Sequence, residues 1–453
     1  MKMWQKPSHR SVAILWRLVC ITAATATLGC SGDRAVEVSK DNELLGIATG
    51  EDDETASPDI PLRTIAAGRS DQESLVLANS DFAFDLYGRL RGRRGNLVFA
   101  PYIISRALAM CYAGARGGTE TEMTRCSRLP FGQGRMHAAF RELNVSLNST
   151  PKKQGITLLQ ANRLWADESL QVDSGYLDLT REQYEAELGR VALASHPDEA
   201  CREINGWVRQ RTHDKIGDVV SSETVSDARL LLVCSIYFKA TWAQPFFDTQ
   251  TKPAPFHTQA GQVVEVPMMN YDDIVEAFRL SETPTMQMLE LRYDTPSGRD
   301  GDYCMLVLLP KRRDGLHSLE RELTTDNVNE WVKGLKTDHI EVYLPRFGVK
   351  TQFQLAHVLA EMGMQSAFDP QSADFTGISE DENLYLTNAV HAAVIDVDEK
   401  GTEAAATQLF AYGAEDDSEP KVFRADHPFV FLIRHNPTGT ILFIGRVVNP
   451  KGM

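Results

Sequence analysis

Nucleophiles, bases and metal ligands at fixed spacing are the residues that could do chemistry, and this 453-residue chain shows few such arrangements. It contains no GxSxG elbow, no HExxH pair, no GK[ST] phosphate loop and no GxGxxG turn after a strand. His213 and Asp214 are adjacent on a stretch of helical spacing, where sequence neighbours point in different directions, so no catalytic pair is expected there. Seven cysteines occur, at 20, 30, 111, 126, 201, 234 and 304, with no CxxC spacing. That pattern supports neither zinc nor a disulfide framework. Cys111, Cys234 and Cys304 lie inside apolar runs and read as buried free thiols. No catalytic residue, metal or cofactor is nominated.

One stretch stands apart from its surroundings. "VDEKGTEAAATQLFAYGAEDDSEP", 397–420, is small, polar and acidic, yet it joins the strand-like "HAAVIDV" to the apolar "FVFLIRHN". Thr402, Ala404, Ala406, Gln408, Phe410 and Tyr412 share one parity, and none carries a charge. A strand that enters a sheet must bury alternate side chains, so this segment is permissive for that step.

The elements around it are dense from about residue 74. Leu75, Ala78, Phe82, Leu86 and Leu90 recur at helical spacing, and "ISRALAMCYAGA" reads as a buried helix. "NLVFAP", "ITLLQANRLWAD", "LLLVCSIYFKATW", "MQMLELRY", "CMLVLLP", "HIEVYLP", "HAAVIDV", "FVFLIRHN" and "TILFIGRVV" read as strands. "CREINGWVRQRTH" and "QLAHVLAEMG" read as helices between them. Helices precede mixed strands without βαβ alternation, which indicates an α+β fold with mainly antiparallel sheets.

The charge balance excludes some partners. Against 47 basic residues stand 62 acidic ones, a formal charge of −15. Such a chain has no general field to attract phosphates, so nucleic acid and polyanion cofactors are not expected. The one basic cluster, "RLRGRRG" at 89–95, reads as a solvated turn.

The amino-terminal region reads as an address. Basic residues precede the apolar stretch "LVCITAATATLG", 18–29, which is too short to span a bilayer. It ends in "TLGC", which resembles the lipobox of bacterial lipoproteins, with Cys30 as the acylated residue. An ordinary secretory signal cleaved nearby is the alternative. The expected organisation is a signal over 1–29, a disordered acidic tether over 30–70 and one folded domain over 71–453. Export is expected, to the cell envelope or beyond, with the lipid as the membrane contact.

From about residue 74 to 450 the chain resembles the serpins. The blocks that carry the resemblance keep the family order. They are "NLVFAPYIISRALAMCYAGARGGTETEM", "INGWVRQRTHDKI", "LLLVCSIYFKATW", "LPRFGVKTQFQLAHVLAEMGMQSAFDPQSADFTGIS", "NAVHAAVIDVDEKGTEAAAT" and "DHPFVFLIRHNPTGTILFIGRVVNP". The resemblance implies three β-sheets, about nine helices and an exposed reactive-centre loop, here about 399–423. It also implies a monomeric inhibitor of serine-type, or cysteine-type, endopeptidases. The loop is cleaved, inserts as a strand and traps the acyl-enzyme. A non-inhibitory binding protein, cut only as a substrate, is the alternative.

Carried over residue by residue, the hinge comprises Glu399, Gly401, Thr402, Glu403, Ala404, Ala405, Ala406 and Thr407. Family spacing from Glu399 puts the scissile bond at Glu415–Asp416, which suits a Glu- or Asp-specific target. Counting back from "HPF" gives Asp417, and Ala414 or Tyr412 would suit other enzymes. Trp242 matches the place where the inserting strand first enters. His391 matches a family histidine beneath the opening sheet, but its usual polar partners are replaced by Ala100, Ile103 and Cys234. Either an apolar cluster has taken over there, or His391 bonds to backbone.

Overall fold

Ser70 opens the first helix, α1 (Asp71–Leu90). Its hydroxyl accepts the Glu73 N–H over 3.1 Å, while the Glu73 carboxylate accepts the Ser70 N–H over 2.8 Å. This reciprocal capping satisfies two donors that a helix start leaves open. Pro101 then begins α2 (Pro101–Gly114), a position where its missing N–H does no harm. Every residue of α2 is buried, as its unbroken apolar run predicts. Around it pack α3 (Gly117–Cys126), α4 (Gln133–Asn148) and α5 (Ser174–Tyr184). The remaining helices are α6 (Pro197–Arg211), α7 (Ser222–Val225), α8 (Leu316–Glu322), α9 (Thr325–Lys333) and α10 (Ala356–Glu361).

This computed structural model describes residues 62–66, 68–148, 156–226, 228–271, 276–294, 302–380, 384–401 and 420–452. Among them lie ten α-helices, close to the nine or so expected. Two of the ten, α7 and α10, have six residues or fewer.

The strands form two sheets. The smaller has the order β11 (Phe347–Gln354), β12 (Leu386–Val397), β4 (Leu230–Ala240), β2 (Ile156–Asp167) and β3 (Gly189–Val191). Its β11/β12 and β4/β2 pairs are antiparallel, while β12/β4 and β2/β3 are parallel. The larger sheet begins with β1 (Leu97–Phe99), β15 (Thr440–Val447), β14 (Phe429–His435), β9 (Tyr303–Pro310) and β8 (Met286–Arg292). It continues through β7 (Glu276–Glu282), β10 (Lys336–Pro345), β6 (Val263–Asn270) and β5 (Lys252–His257). The short β13 (Lys421–Arg424) lies parallel on β10. The α+β fold is as expected. The expected second and third sheets are joined, because β10 pairs with β7 through Lys336–Ile340 and with β6 through Tyr343–Pro345.

A buried ion pair fastens the helices to this larger sheet. Arg446 of β15 donates to Glu320 of α8 over 2.8 Å, and Tyr87 of α1 donates to the same carboxylate oxygen over 2.8 Å. The Arg446 and Glu320 side chains are almost wholly enclosed, so removing either would strand the other as an unpaired charge.

The five cysteines among the described residues are free, four buried and Cys201 half-buried. His213 and Asp214 are exposed and take positive φ, 48° and 59°. Asp214 N–H closes the end of α6 on the Arg209 carbonyl over 2.8 Å, so the pair terminates a helix. Residues 62–66 were assigned to the tether, yet Arg63 is fastened to the body. It reaches Asp81 of α1 at 2.8 Å and Asp326 of α9 at 3.0 Å.

Candidate functional site: the seam between β12 and β4

The order of the smaller sheet puts two parallel strands side by side at its centre. In register, Val390 faces Val233, His391 faces Cys234 and Ile395 faces Phe238. Both faces of this seam are buried. Ala389, Ala393 and Ile395 join the main core with Leu232, Ile236 and Phe238. On the other face, Val390, Ala392 and Val394 meet Leu231, Val233 and Tyr237 beneath Ile204 and Val208 of α6. Helix α6 lies on this outer face, packed against the neighbouring strand β2.

At the top of the seam the chain leaves β12 in a tight turn. Trp242, just after β4, holds it twice: its backbone N–H donates to Lys400 O over 3.2 Å, and its indole N–H to Asp398 O over 2.9 Å. Trp242 is itself fixed by stacking on Tyr293, with ring centroids 4.5 Å apart and planes 9° from parallel. The Glu399 carboxylate is buried to 2 % exposure, where it pairs with Arg346 and accepts the Thr251 hydroxyl over 2.7 Å. Burial by itself would raise the Glu399 carboxyl. The hydrogen bonds from Arg346 and Thr251 outweigh it and hold the group below the usual carboxylate range. Asp398 beside it has no such clamp, and burial raises it. Gly401 takes φ +69°, which an L side chain rarely adopts.

Halfway down the seam a row of residues crosses four strands. Phe353 faces His391, His391 faces Cys234, and Cys234 faces Asn162. His391 is wholly buried and bonds to backbone at both ring nitrogens. Nε2 accepts the Ala100 N–H over 3.1 Å, and Nδ1 bonds the Cys234 carbonyl over 2.9 Å. Since one nitrogen accepts and the other faces a carbonyl, the ring is neutral with its proton on Nδ1. Burial pushes its pKa down to about 4, with the Cys234 contact opposing that shift. Burial pushes the Cys234 thiol well above its ordinary value, out of the range of a reactive thiolate. Ile103 contributes its carbonyl, which accepts from Asn162 Nδ2 over 3.3 Å. Of the two sequence alternatives for His391, backbone bonding is the one observed.

The family description that matches this chain is "Serpin (serine protease inhibitor)", over residues 77–450. The chain belongs to the serpin family. It is 38% identical over 383 residues to an uncharacterized serpin-like protein of Thermococcus kodakarensis, covering 84% of this chain and 87% of that one. It is 35% identical over 389 residues to a leukocyte elastase inhibitor of Xenopus tropicalis, covering 83% of this chain and all of that one. Among solved structures, uncleaved ovalbumin superposes with a TM-score of 0.73 at 31% identity, over 83% of this chain and all of that one. Protease inhibition is the general activity of that family.

In this serpin the sequence-assigned residues divide into two groups. Glu399, Gly401, Trp242, His391, Ala100 and Cys234 lie at the seam or its upper end, and Ile103 bonds Asn162 of the next strand, β2. Thr402, Glu403, Ala404, Ala405, Ala406, Thr407, Tyr412, Ala414, Glu415, Asp416, Asp417 and Cys30 lie outside the described residues. Sequence reading missed Arg346, Thr251 and Tyr293 at the turn, and Asn162 and Phe353 in the row. The signal for Asn162 was available, as a polar residue inside the strand "ITLLQANRLWAD". The basic turn at 89–95 is less detached than expected, because the Arg93 guanidinium lies over the Phe353 ring at 4.7 Å.

Proposed function

We propose that this serpin inhibits serine-type endopeptidases by cleavage of the segment after Gly401, insertion of its first part between β12 and β4, and covalent trapping of the acyl-enzyme. The observation that carries this reading is the parallel seam itself. Its neighbours run the same way, and the chain turns back directly above it at Asp398–Gly401. A strand that reverses there runs antiparallel to both neighbours. One parallel ladder is thereby exchanged for two antiparallel ones, the stronger geometry. The uncharged parity from Thr402 to Tyr412 supports the same step, since alternate side chains must be buried.

The reactive bond is Glu415–Asp416, and the targets are endopeptidases that accept an acidic residue before the cut. Export, with Cys30 as the lipid attachment point, follows from the leader and "TLGC". The test incubates the protein with a panel of serine proteases that includes a Glu-specific one, and resolves the products on SDS gels. SDS-stable complexes support the proposal, and mass spectrometry of the released peptide fixes the bond. Clean loop cleavage without any complex sinks it and favours a non-inhibitory binding protein.

A further inference from the structure

On the outer side of the smaller sheet, the end of α6 and β2 enclose an open cleft of about 550 Å³. Five residues line it: Arg163 from β2, Trp207, Gln210 and Arg211 from the last turns of α6, and His213 just beyond. None of these side chains belongs to the turn at Asp398–Gly401 or to the row at His391. We propose that this cleft binds a small multivalent anion that carries carboxylate or phosphate groups.

Arg163 is packed against two indole rings. Its guanidinium carbon lies 4.6 Å from the Trp207 ring centroid and 5.1 Å from that of Trp165. The two indoles meet edge to face, with centroids 5.5 Å apart and planes at 84°. A guanidinium packed against rings spends its faces on them and keeps its in-plane N–H donors for other partners. Among the described residues, the side chains of Arg163, Trp207, Gln210, Arg211 and His213 make no hydrogen bond or ion pair. A fork of donors held in place and left unpaired is a preorganised receptor for planar oxyanions. Burial against the rings also pushes Arg163 below the usual arginine range, consistent with a cation short of hydration.

The surroundings narrow the ligand. Glu187 and Glu203 lie close enough to act on Arg163, but neither lines the cleft. A helix carboxyl end repels anions through its free carbonyls. Here the Val208 carbonyl is taken by Thr212 N–H and Oγ1, at 2.9 and 2.8 Å, and the Arg209 carbonyl by Asp214 N–H. The whole chain carries −15, so a long polyanion meets repulsion beyond the cleft. A compact anion does not.

The test is calorimetric titration of the full-length protein at low salt with citrate and, separately, with pyrophosphate. Saturable one-to-one binding of either supports the site, and the tighter probe tells carboxylate from phosphate. Arg163→Gln and Arg211→Gln should each weaken binding by about tenfold, as the loss of one charge-assisted contact would. Arg202→Gln, on an exposed part of α6, should leave it unchanged. Binding of neither probe overturns the proposal. So does equal weakening by Arg202→Gln, or unchanged affinity in a folded Arg163→Gln/Arg211→Gln double variant. None of these readouts involves protease inhibition, so they stand apart from the test of insertion.

Discussion

A Cβ placed on Gly401 would collide with the backbone nitrogen of Trp242 and with the Ala240 carbonyl oxygen. Both obstacles are backbone at the end of β4, where no side chain can swing aside. The turn out of β12 is therefore packed directly on the strand beside which the proposed insertion begins.

Gly401→Val should lose about 1–3 kcal/mol of stability, from positive φ at a β-branched residue and from this collision. Relief would require the turn to lift away, which breaks the Trp242 hydrogen bonds to Asp398 and Lys400. The check is urea unfolding, followed by Trp242 emission in a variant whose other tryptophans are replaced. An unchanged midpoint and spectrum would mean that the turn does not pack as described.

Acid should weaken the fold in a defined window. Burial pushes His137, His391 and His435 each down to about 4. In the unfolded chain a histidine titrates near pH 6.5. As pH falls from about 6.5 towards 4, the unfolded state takes up protons that the folded state refuses, so stability drops. Each histidine contributes up to about 1.4 kcal/mol per pH unit in that window, and the loss levels off below it. Urea midpoints measured from pH 7.5 to 4.5 should show the slope, and His391→Gln should reduce it. A variant slope equal to that of the parent would show that His391 does not stay neutral.

Breaking the buried pair between Arg446 and Glu320 tests the join of helices and larger sheet. Arg446→Ala leaves the Glu320 carboxylate enclosed without its cation, a loss of about 3–5 kcal/mol. Arg446→Met with Glu320→Leu should recover much of it, since both charges are then gone. Denaturant midpoints of the single and double variants decide the matter, and a single variant within about 0.5 kcal/mol of the parent would contradict the burial.

Local pattern made most of the framework legible. The apolar run of "ISRALAMCYAGA" became a fully buried α2, and "ITLLQANRLWAD" became β2 from its first residue to its last. The strand β5 was missed because "KPAPFH" carries Pro253 and Pro255, which read as strand breakers. It tolerates them as an edge strand that pairs only with β6, so their missing donors are not required on the other side. The site was legible in part. Trp242, His391 and Glu399 came from resemblance, and no periodicity marks them. Their partners Arg346 and Tyr293 stand 53 and 51 positions away from Glu399 and Trp242, a separation that only the folded sheet closes. The parallel pairing of β12 with β4 is of the same kind, since each strand alone reads as a buried apolar run in either direction.

Thr402 and Ala404 share the uncharged parity that would be buried as the segment enters between β12 and β4. A guanidinium placed there must either lose its water without a partner, which costs several kcal/mol, or stop the strand at the top of the seam. Thr402→Arg and Ala404→Arg should therefore leave cleavage intact and abolish trapping. With a protease that forms SDS-stable complexes with the parent, each variant should give cleaved protein and freely turning-over enzyme. The partition between complex and cleaved product on SDS gels is the measurement. Covalent complex at the parent's efficiency would show that the segment does not enter the sheet in this register.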